Sequence, residues 1–597
     1  MPSVLLSLAL LFLALSGADR APLINSERYN EGLFGAYVEE QFISDEALVA
    51  PVLNQIKPFT ACDDGSLLFI APRGPNATAP RPYILNADGS MVWTPVDGDY
   101  GEVYNFQVQR YRGEDYLCFW GGQDTWGGHG RGKVYMFDKH YELFKTVDAG
   151  NGLQIDLHSF DIWDDGHATL TAYDSRKTKL AGLLDGPDEI YIWDSLFQEI
   201  DLSTDEVVFE WRASDHVGLD ETFQPLRNGT AELPWDWFHI NSVVKDKAGN
   251  YLISARYTRS ILYIDGRTGT ILWQLGGRRN FFHDLSGGVA TQFIGQHDAK
   301  WDGANAITLF DNRGDQAFHP DNELRSRGIR VVLDLKMWTA KVDGSYYNEA
   351  TIRSKSQGSM QKLPNGRVVV GFGESGVMTE FLANGSALCE VYFQPKSLFG
   401  TGGVQSYKNL KFNWTGQPLT KPKLRHFDNH LFISWLGATE VKQWIVRATD
   451  SLNGTFDETL IMPKVGFETC VDLASAPSLP RFIEAVALDS EGKHIGISEP
   501  VDLRSGEPVW DDGISKTEKD WPSFAASVVG IIILLLLGLA CCLGLASTAS
   551  SRRSRALWGR LESLLPLPTR RLDRRPSLYQ EEQGEMLLRE PRRGGAG

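Results

Sequence analysis

Cysteine is scarce in this sequence, with 6 residues among 597. A disulfide-rich scaffold is therefore excluded, and because there is no Cys-x-x-C motif, nothing indicates a zinc or dithiol redox site. Basic residues are also outnumbered by acidic ones, 59 to 76, and the resulting formal net charge of −17 argues against a nucleic-acid-binding protein. Convincing amphipathic helices are missing too. What the chain does have is 42% hydrophobic and 11% aromatic residues, which is enough to fill a large core.

Two stretches of the chain are long, apolar and free of charge. Residues 1–18 end in small residues and are typical of a secretory signal peptide, with an uncleaved anchor as the alternative. Residues 524–547 exceed the roughly 20 residues that span a bilayer, and the tail that follows, 548–597, is basic. Positive residues mark the cytoplasmic side of a membrane. The sequence therefore predicts a single-pass type I membrane protein, of the plasma membrane or an endomembrane, with a lumenal or extracellular ectodomain.

The predicted ectodomain carries features of the secretory pathway. One or two disulfides are allowed there, with the pairing left open, among Cys62, Cys118, Cys389 and Cys470. Asn-x-Ser/Thr sequences are acceptors for glycosylation and favour surface loops. They occur at Asn76, Asn228, Asn384, Asn413 and Asn453.

From about residue 59 onward, short β-forming runs alternate with Asp-Gly, Asn-Gly and other glycine turns. Residues 64–70 and 365–371 are examples, and many such hairpins at regular spacing indicate an all-β fold. Residues 261–275 contain strand, Asp-x-x-Thr-Gly turn and strand, a pattern typical of the outer hairpin of a propeller blade. We predict a β-propeller of about six blades; a pair of β-sandwiches is the alternative.

The pattern of closely spaced hairpins ends near residue 413, which indicates the start of a second domain. Prolines 418 and 422 indicate a linker, and the alternating strands after it favour a fibronectin type III-like β-sandwich that would pack on the propeller or space it from the membrane. The predicted organisation is a signal peptide (1–18), an N-terminal segment (19–58), the propeller (59–415), the sandwich (420–505), a stalk (506–523), a transmembrane helix (524–547) and a basic cytoplasmic tail (548–597).

Three histidines occur in matching contexts. His158, His239 and His297 each lie near the start of a predicted strand, followed by a glycine turn and a second strand. Equivalent positions of successive propeller blades face one central channel, so these side chains are predicted to converge there. Arg256 lies across the hairpin from His239, and such a pair suits an anion. The alternative for each residue alone is an ordinary strand or core position.

Several blocks around these residues resemble the arylsulfate sulfotransferase family, which uses aryl sulfates instead of a nucleotide donor. The blocks lie at 237–242 (Trp-Phe-His-Ile-Asn-Ser), 254–256, 271–276, 296–299 and 309–312. The membrane-bound or secreted eukaryotic branch, known mostly from fungi, fits best. The resemblance implies a six-bladed propeller with its site at the channel mouth. We expect no metal and no cofactor. The resemblance also implies that His297 is the nucleophile, that His158, His239 and Arg256 bind the sulfuryl group, and that Asn241 and Asn312 contact substrate.

The chemistry of the residue types agrees with this resemblance. Sulfuryl transfer develops negative charge on oxygen, which the permanently charged, forked guanidinium of arginine stabilises. A neutral imidazole can attack sulfur, and a protonated one can donate to the leaving oxygen. We therefore expect transfer from an aryl sulfate to a phenolic acceptor through a sulfohistidine. The alternatives are a non-catalytic, membrane-anchored propeller that binds an extracellular or lumenal partner, or a glycosidase pair hidden among the many acids.

Overall fold

The computed structural model describes residues 19–509 except for 79, 125–127, 164–165, 181–186, 228, 314–324 and 476–477, and these described residues lie in one compact unit, 1–509. The predicted signal peptide, transmembrane segment 524–547 and tail lie outside the described residues, as do Asn228 and nearly all of the predicted stalk. Within the described part of the chain, no helix is long and apolar enough to cross a membrane.

The N-terminal segment is short and mostly extended. Its strands are β1 (Leu23–Ile24), β2 (Glu39–Gln41), β3 (Val49–Pro51) and β4 (Asn54–Lys57). One turn of helix, α1 (Glu27–Asn30), begins where the Ser26 hydroxyl accepts a hydrogen bond from the Tyr29 amide at 3.3 Å. Strand β1 pairs with β4 in parallel. The segment whose structure the sequence left open is thus fixed along the edge of a later sheet.

The next 26 strands build most of the molecule. In chain order they are β5 (Leu67–Ile70), β6 (Tyr83–Leu85), β7 (Met91–Trp93), β8 (Glu102–Tyr111), β9 (Glu114–Asp124), β10 (Gly130–Phe137), β11 (Leu143–Val147), β12 (Ile155–Ile162), β13 (His167–Lys179), β14 (Glu189–Asp201), β15 (Val207–Arg212), β16 (Trp235–Asp236), β17 (Ile240–Lys245), β18 (Tyr251–Ala255), β19 (Ser260–Ile264), β20 (Ile271–Gly276), β21 (His283–Asp284), β22 (His297–Trp301), β23 (Ala306–Asp311), β24 (Arg327–Asp334), β25 (Thr339–Tyr346), β26 (Ser359–Lys362), β27 (Val368–Phe372), β28 (Val377–Phe381), β29 (Ala387–Tyr392) and β30 (Leu410–Phe412). Short 3-10 helices lie at Phe59–Ala61, Ala213–Asp215, Leu219–Glu221, Gly373–Ser375, Lys396–Leu398 and Leu473–Ser475.

Apart from β16 and β21, which pair in parallel with β14 and β25, these strands form antiparallel units of four neighbours each. Unit 1 is β30-β5-β6-β7, unit 2 is β8 to β11, unit 3 is β12 to β15, unit 4 is β17 to β20, unit 5 is β22 to β25 and unit 6 is β26 to β29. Glycine turns join consecutive strands; Gly249, between β17 and β18, has a φ of 86°, a conformation that glycine adopts without a steric penalty. The all-β prediction is confirmed.

The units follow one another in a propeller-like ring. The first strand of each of units 2 to 5 contacts the first strand of the next unit, from β8 through β12, β17 and β22 to β26. Strand β30 contacts β27 and β8, and it pairs with β5 with Leu410 opposite Phe69. The last strand of this region, β30, therefore pairs with its first strand, β5, and so completes the ring. This connectivity is not that of two separate sandwiches.

A second region follows the ring. Its strands are β31 (Lys423–Phe427), β32 (His430–Ser434), β33 (Gln443–Thr449), β34 (Asp457–Pro463), β35 (Thr469–Asp472), β36 (Phe482–Leu488), β37 (His494–Ile497) and β38 (Val501–Asp502). They form two sheets around one core that includes Leu431, Trp444 and Ile483. The Tyr141 hydroxyl of unit 2 donates to the Gly437 carbonyl at 2.7 Å, so this region packs on the ring. Its fibronectin type III character stays a prediction.

One disulfide joins Cys62 to Cys389. The first cysteine precedes β5 of unit 1 and the second lies in β29 of unit 6, so the bond ties the two units where the ring closes. Cys118 is buried and Cys470 is exposed, and both are free. The structure thereby supplies a pairing that the sequence left open.

Candidate active site

The structure brings the three predicted histidines together at one end of the ring. His158 lies in β12, His239 directly precedes β17, and His297 is the first residue of β22. Their exposed fractions are only 2%, 5% and 2%. Each histidine belongs to a different neighbouring unit, so the contact depends on the ring and not on proximity in sequence.

His158 and His239 form a directly bonded pair. The Nε2 atoms lie 3.1 Å apart. His158 Nδ1 donates to Asp156 Oδ2 at 2.5 Å, and His239 Nδ1 donates to Asp236 Oδ2. Two lone pairs would repel at this distance, so the Nε2 atoms share a proton and the pair carries a positive charge beside two carboxylates.

The two members of the pair differ in their electrostatic surroundings. Burial lowers the pKa of His239 to about 4 in spite of the Asp236 carboxylate, so His239 is the neutral acceptor. Burial alone would raise the pKa of Asp156, but the charge and hydrogen bond of His158 hold that pKa below its usual range. Asp156 is therefore an ionised hydrogen-bond acceptor for His158.

His297 is oriented as a neutral nucleophile. Its Nδ1 donates to Asn312 Oδ1 at 2.8 Å, which leaves the lone pair on Nε2. The backbone amide of Gln357 points at that nitrogen from 3.3 Å, a long bond that an entering group can replace. Burial, followed by the charge of Arg256, lowers the pKa of His297 well below its ordinary value.

Arg256 lies between units 4 and 5, half-buried beside His297. Its backbone amide donates to the His239 carbonyl at 2.9 Å, and its Nη2 donates to the Lys355 carbonyl at 2.9 Å. Gly295 has a φ of 64°, and a Cβ placed on it would lie 3.7 Å from the Arg256 guanidinium carbon. A side chain there would thus be strained by its backbone conformation, although its Cβ would only reach ordinary van der Waals contact with the guanidinium.

The two predicted substrate-binding asparagines have their amide groups engaged by the protein. Asn312 accepts from His297 and donates through Nδ2 to the carbonyls of Ser354 and Gln357, at 2.9 and 2.8 Å. Its observed contacts are those of a residue that positions the nucleophile. Asn241 donates to the Gln296 carbonyl at 2.6 Å, while its buried Oδ1 has no partner. Direct contact of either residue with substrate stays a prediction.

The sequence analysis missed several residues that complete the site. Asp156 and Asp236 precede His158 and His239 by two and three positions, a spacing visible in the sequence. His129, in contrast, has no acid close before it in the sequence, and its only local signal is the glycine-rich stretch 127–132. It is buried, and its Nε2 lies 3.1 Å from Asp236 Oδ2. Burial would lower the pKa of His129, but the Asp236 carboxylate raises it above the usual value.

His129, Asp236 and His239 could also hold a metal ion, because one ligand atom from each lies within 4.8 Å of the others. In this arrangement, however, His239 Nδ1 donates a proton to Asp236. A metal at Nδ1 would use the same lone pair, so metal binding and this hydrogen bond exclude each other. The prediction that no metal takes part therefore stays a prediction.

A tyrosine from the opposite side of the ring approaches both ends of the histidine cluster. The Tyr407 ring lies 5.8 Å from the His158 ring and 6.2 Å from the His297 ring. Its hydroxyl is buried and has no hydrogen-bond partner. Burial raises the pKa of Tyr407 well above its ordinary value, so the hydroxyl keeps its proton and is available as a donor.

A charged guanidinium, a neutral imidazole and a protonated imidazole pair therefore meet in one buried site, a combination suited to an anionic group that is transferred. Residues 107–394 match the family model described as arylsulfotransferase (ASST). The matched stretch contains His158, His239, Arg256 and His297. The match supports the arylsulfotransferase family and a sulfotransferase-like function for this part of the chain.

Other comparisons add less. No curated protein matches the chain. Solved structures that resemble it include a Bacteroides caccae protein of unknown function (12% identity, 58% of this chain, 99% of that chain, TM-score 0.35). Another is the Myceliophteria thermophila Cps50 (Swd1) β-propeller domain, with 10% identity over 62% of this chain and 90% of that chain, and a TM-score of 0.29. A third is the Dos1 propeller, with 11% identity over 63% of this chain and 70% of that chain, and a TM-score of 0.26. Such low scores carry no information on activity, and the architecture above rests on this chain's own strand pairing.

Proposed function

We propose that the protein transfers a sulfuryl group from an aryl sulfate to a phenolic acceptor through a sulfated His297. The observation that carries this proposal is the arrangement of hydrogen bonds around His297, His158 and His239. His297 presents an unprotonated Nε2 beside Arg256, while His158 and His239 hold a proton nearby. A nucleophile, a cation for the developing charge and an acid for the leaving group are therefore present together.

In the first step, the lone pair of His297 Nε2 attacks the sulfur of the donor. The S–O bond to the aromatic ring breaks, its electrons go to the phenolate oxygen, and His158 supplies the proton that releases the phenol. Asn312 Oδ1 accepts the Nδ1–H of the sulfated ring, which now carries positive charge. Arg256 neutralises charge on the sulfuryl oxygens.

In the second step, an acceptor phenol occupies the place of the first. Its oxygen attacks sulfur, the N–S electrons return to Nε2, and its proton goes back to the His158–His239 pair. The site ends as it began, with one sulfate ester consumed and one formed. Asp156 and Asp236 hold the two imidazoles in the required tautomers throughout.

The test uses the purified full-length chain with para-nitrophenyl sulfate and phenol. We expect release of para-nitrophenol that depends on phenol, formation of phenyl sulfate in equal amount, and loss of both in His297→Asn. His283→Asn is the matched control, because His283 is an exposed histidine away from the cluster. If wild-type protein forms no phenyl sulfate, or if His297→Asn forms as much, the proposal fails and a non-catalytic binding function becomes the better one.

We further propose an architecture and a membrane topology for the chain around this site. The ring is a six-bladed propeller of the eukaryotic, membrane-anchored branch, followed by a fibronectin type III-like sandwich and one membrane span. The support is the strand connectivity together with the apolar runs at 1–18 and 524–547. Asn384, Asn413 and Asn453 are exposed, as glycosylation requires, and Asn76 is half-buried. In sealed microsomes, protease added from outside should digest the cytoplasmic tail and leave the ring protected. Digestion of the ring, or protection of the tail, would contradict this topology.

A further inference from the structure

A second arginine lies in the ring at the position that corresponds to Arg256. Arg256 directly follows β18, the second strand of unit 4, and Arg73 follows β5, the second strand of unit 1, by three residues. The Arg73 amide donates to the Gln405 carbonyl at 2.8 Å, much as the Arg256 amide donates to that of His239. Units 1 and 4 are three apart in a ring of six, so these arginines lie on opposite walls.

Arg73 is buried, and within the described part of the chain no carboxylate forms an ion pair with it. Only 6% of the residue is exposed. Nη2 donates to Gln357 Oε1 at 2.9 Å, and the guanidinium stacks on the Tyr104 ring at 4.0 Å, while Nε has no partner. Among the described residues Arg73 forms no ion pair with a carboxylate, although a buried charge without a counter-charge is costly.

Two acids that act electrostatically on Tyr104, the residue stacked on Arg73, are engaged elsewhere. Asp124 accepts a hydrogen bond from the Tyr104 hydroxyl at 2.9 Å, and Glu102 accepts one from the Asp124 amide at 3.3 Å. Burial raises the pKa of Glu102 even though the charge of Arg73 opposes this shift. Neither carboxylate therefore takes the role of a bonded counter-ion for Arg73.

Arg73 is separated from the proposed nucleophile by a single residue. Gln357 accepts from Arg73 through its side chain and donates its backbone amide to His297 Nε2. Tyr407 lies beside the same nucleophile, and both Arg73 and Arg256 act on its pKa, in each case lowering it against the effect of burial. An aromatic substrate at His297 would therefore have one guanidinium at the transferred group and a second one across the ring.

We propose that Arg73 binds a carboxylate carried by the aromatic ring of the substrate, so that the preferred substrates are phenols, and aryl sulfates, with a second anionic group. The planar carboxylate is favoured because it matches the fork of N–H donors on a guanidinium. This inference rests on the proposed function, since it assigns the substrate class of the same site.

The experiment compares two acceptors, phenol and para-hydroxybenzoate, with para-nitrophenyl sulfate as donor and the full-length chain as enzyme. We expect Arg73→Gln to lower kcat/KM for para-hydroxybenzoate by about 10-fold or more, mainly through KM, and to change that for phenol by less than about twofold. Arg73→Lys should recover part of the loss because it keeps the charge. Arg110→Gln, a change at an exposed arginine of β8, is the matched control.

Equal losses for both acceptors in Arg73→Gln would overturn the proposal, because they would show that Arg73 acts on Gln357 and His297 instead of the substrate. A binding measurement separates this outcome from failure of the proposed reaction. If wild-type protein transfers no sulfate, calorimetric titration with para-hydroxybenzoate decides: binding weakened about 10-fold in Arg73→Gln supports the subsite, and absent or unchanged binding overturns it.

Discussion

Two halves of the same ring differ in chemistry although they share one architecture. Near the starts of their first strands, units 3, 4 and 5 place His158, His239 and His297. At comparable places, units 2, 6 and 1 provide Tyr104, Gln357 and Tyr407. The repeated fold therefore supplies equivalent positions around one axis, and the residue type at each position decides its role. Titratable nitrogen lies on one side, where sulfur would be attacked, and aromatic surface with a second guanidinium lies on the other.

The largest expected effect on this comparison comes from removing a carboxylate on the histidine side. Asp236→Asn should lower kcat by about 100-fold, because His239 loses the acceptor that fixes its tautomer and His129 loses its counter-charge. Steady-state kinetics with para-nitrophenyl sulfate and phenol measure this. Thermal unfolding of the variant serves as the control for folding. A folded variant with unchanged kcat would show that the paired imidazoles do not need Asp236.

A smaller effect is expected from the residue that orients the nucleophile. Asn312→Ala removes the acceptor of the His297 Nδ1 proton, so the neutral ring can place its proton on Nε2 and lose its lone pair there. We expect kcat to fall by about 10-fold with little change in KM. A change confined to KM would instead place Asn312 in contact with substrate, which is what the sequence resemblance implied.

The pH dependence distinguishes the buried nucleophile from an ordinary histidine. A histidine of pKa near 6.5 would lose about 10-fold of its neutral form on going from pH 8 to pH 5.5. Because the pKa of His297 is lowered, its neutral form persists below that range, and the acid limb of kcat/KM lies below pH 6.5. Rates measured across this range in buffers of constant ionic strength test the point; a midpoint at or above 6.5 contradicts it.

The smallest effect is expected on the tyrosine side. Tyr407→Phe removes a buried hydroxyl that has no partner in the structure, so the free energy of unfolding should change by less than about 1 kcal/mol. Transfer should slow by less than about threefold, since no step of the proposed reaction moves a proton to or from this hydroxyl. A loss as large as that of Asp236→Asn would remove the distinction between the two halves.

Much of the fold was predictable because it is encoded locally. Glycine turns such as the one at Gly249, alternating with β-forming runs, predict hairpins, and the structure has a hairpin there. The pairing of Asp156 and Asp236 with their histidines could also have been predicted, since each acid precedes its histidine by only two or three positions. The role of Arg73 could not be predicted from the sequence, because the residues around it have no motif. Its importance comes from being buried without a bonded counter-ion.

By itself, the sequence determined the all-β architecture, the two apolar runs and the identity of the residues that can do the chemistry. Only the tertiary structure decided which of them meet. His158 contacts His239 across 81 positions, Gln357 approaches His297 across 60, and Cys62 bonds Cys389 across 327. Hairpins arise from neighbouring residues, whereas these contacts exist only after the units have packed into a ring, and ring closure is a property of the whole core.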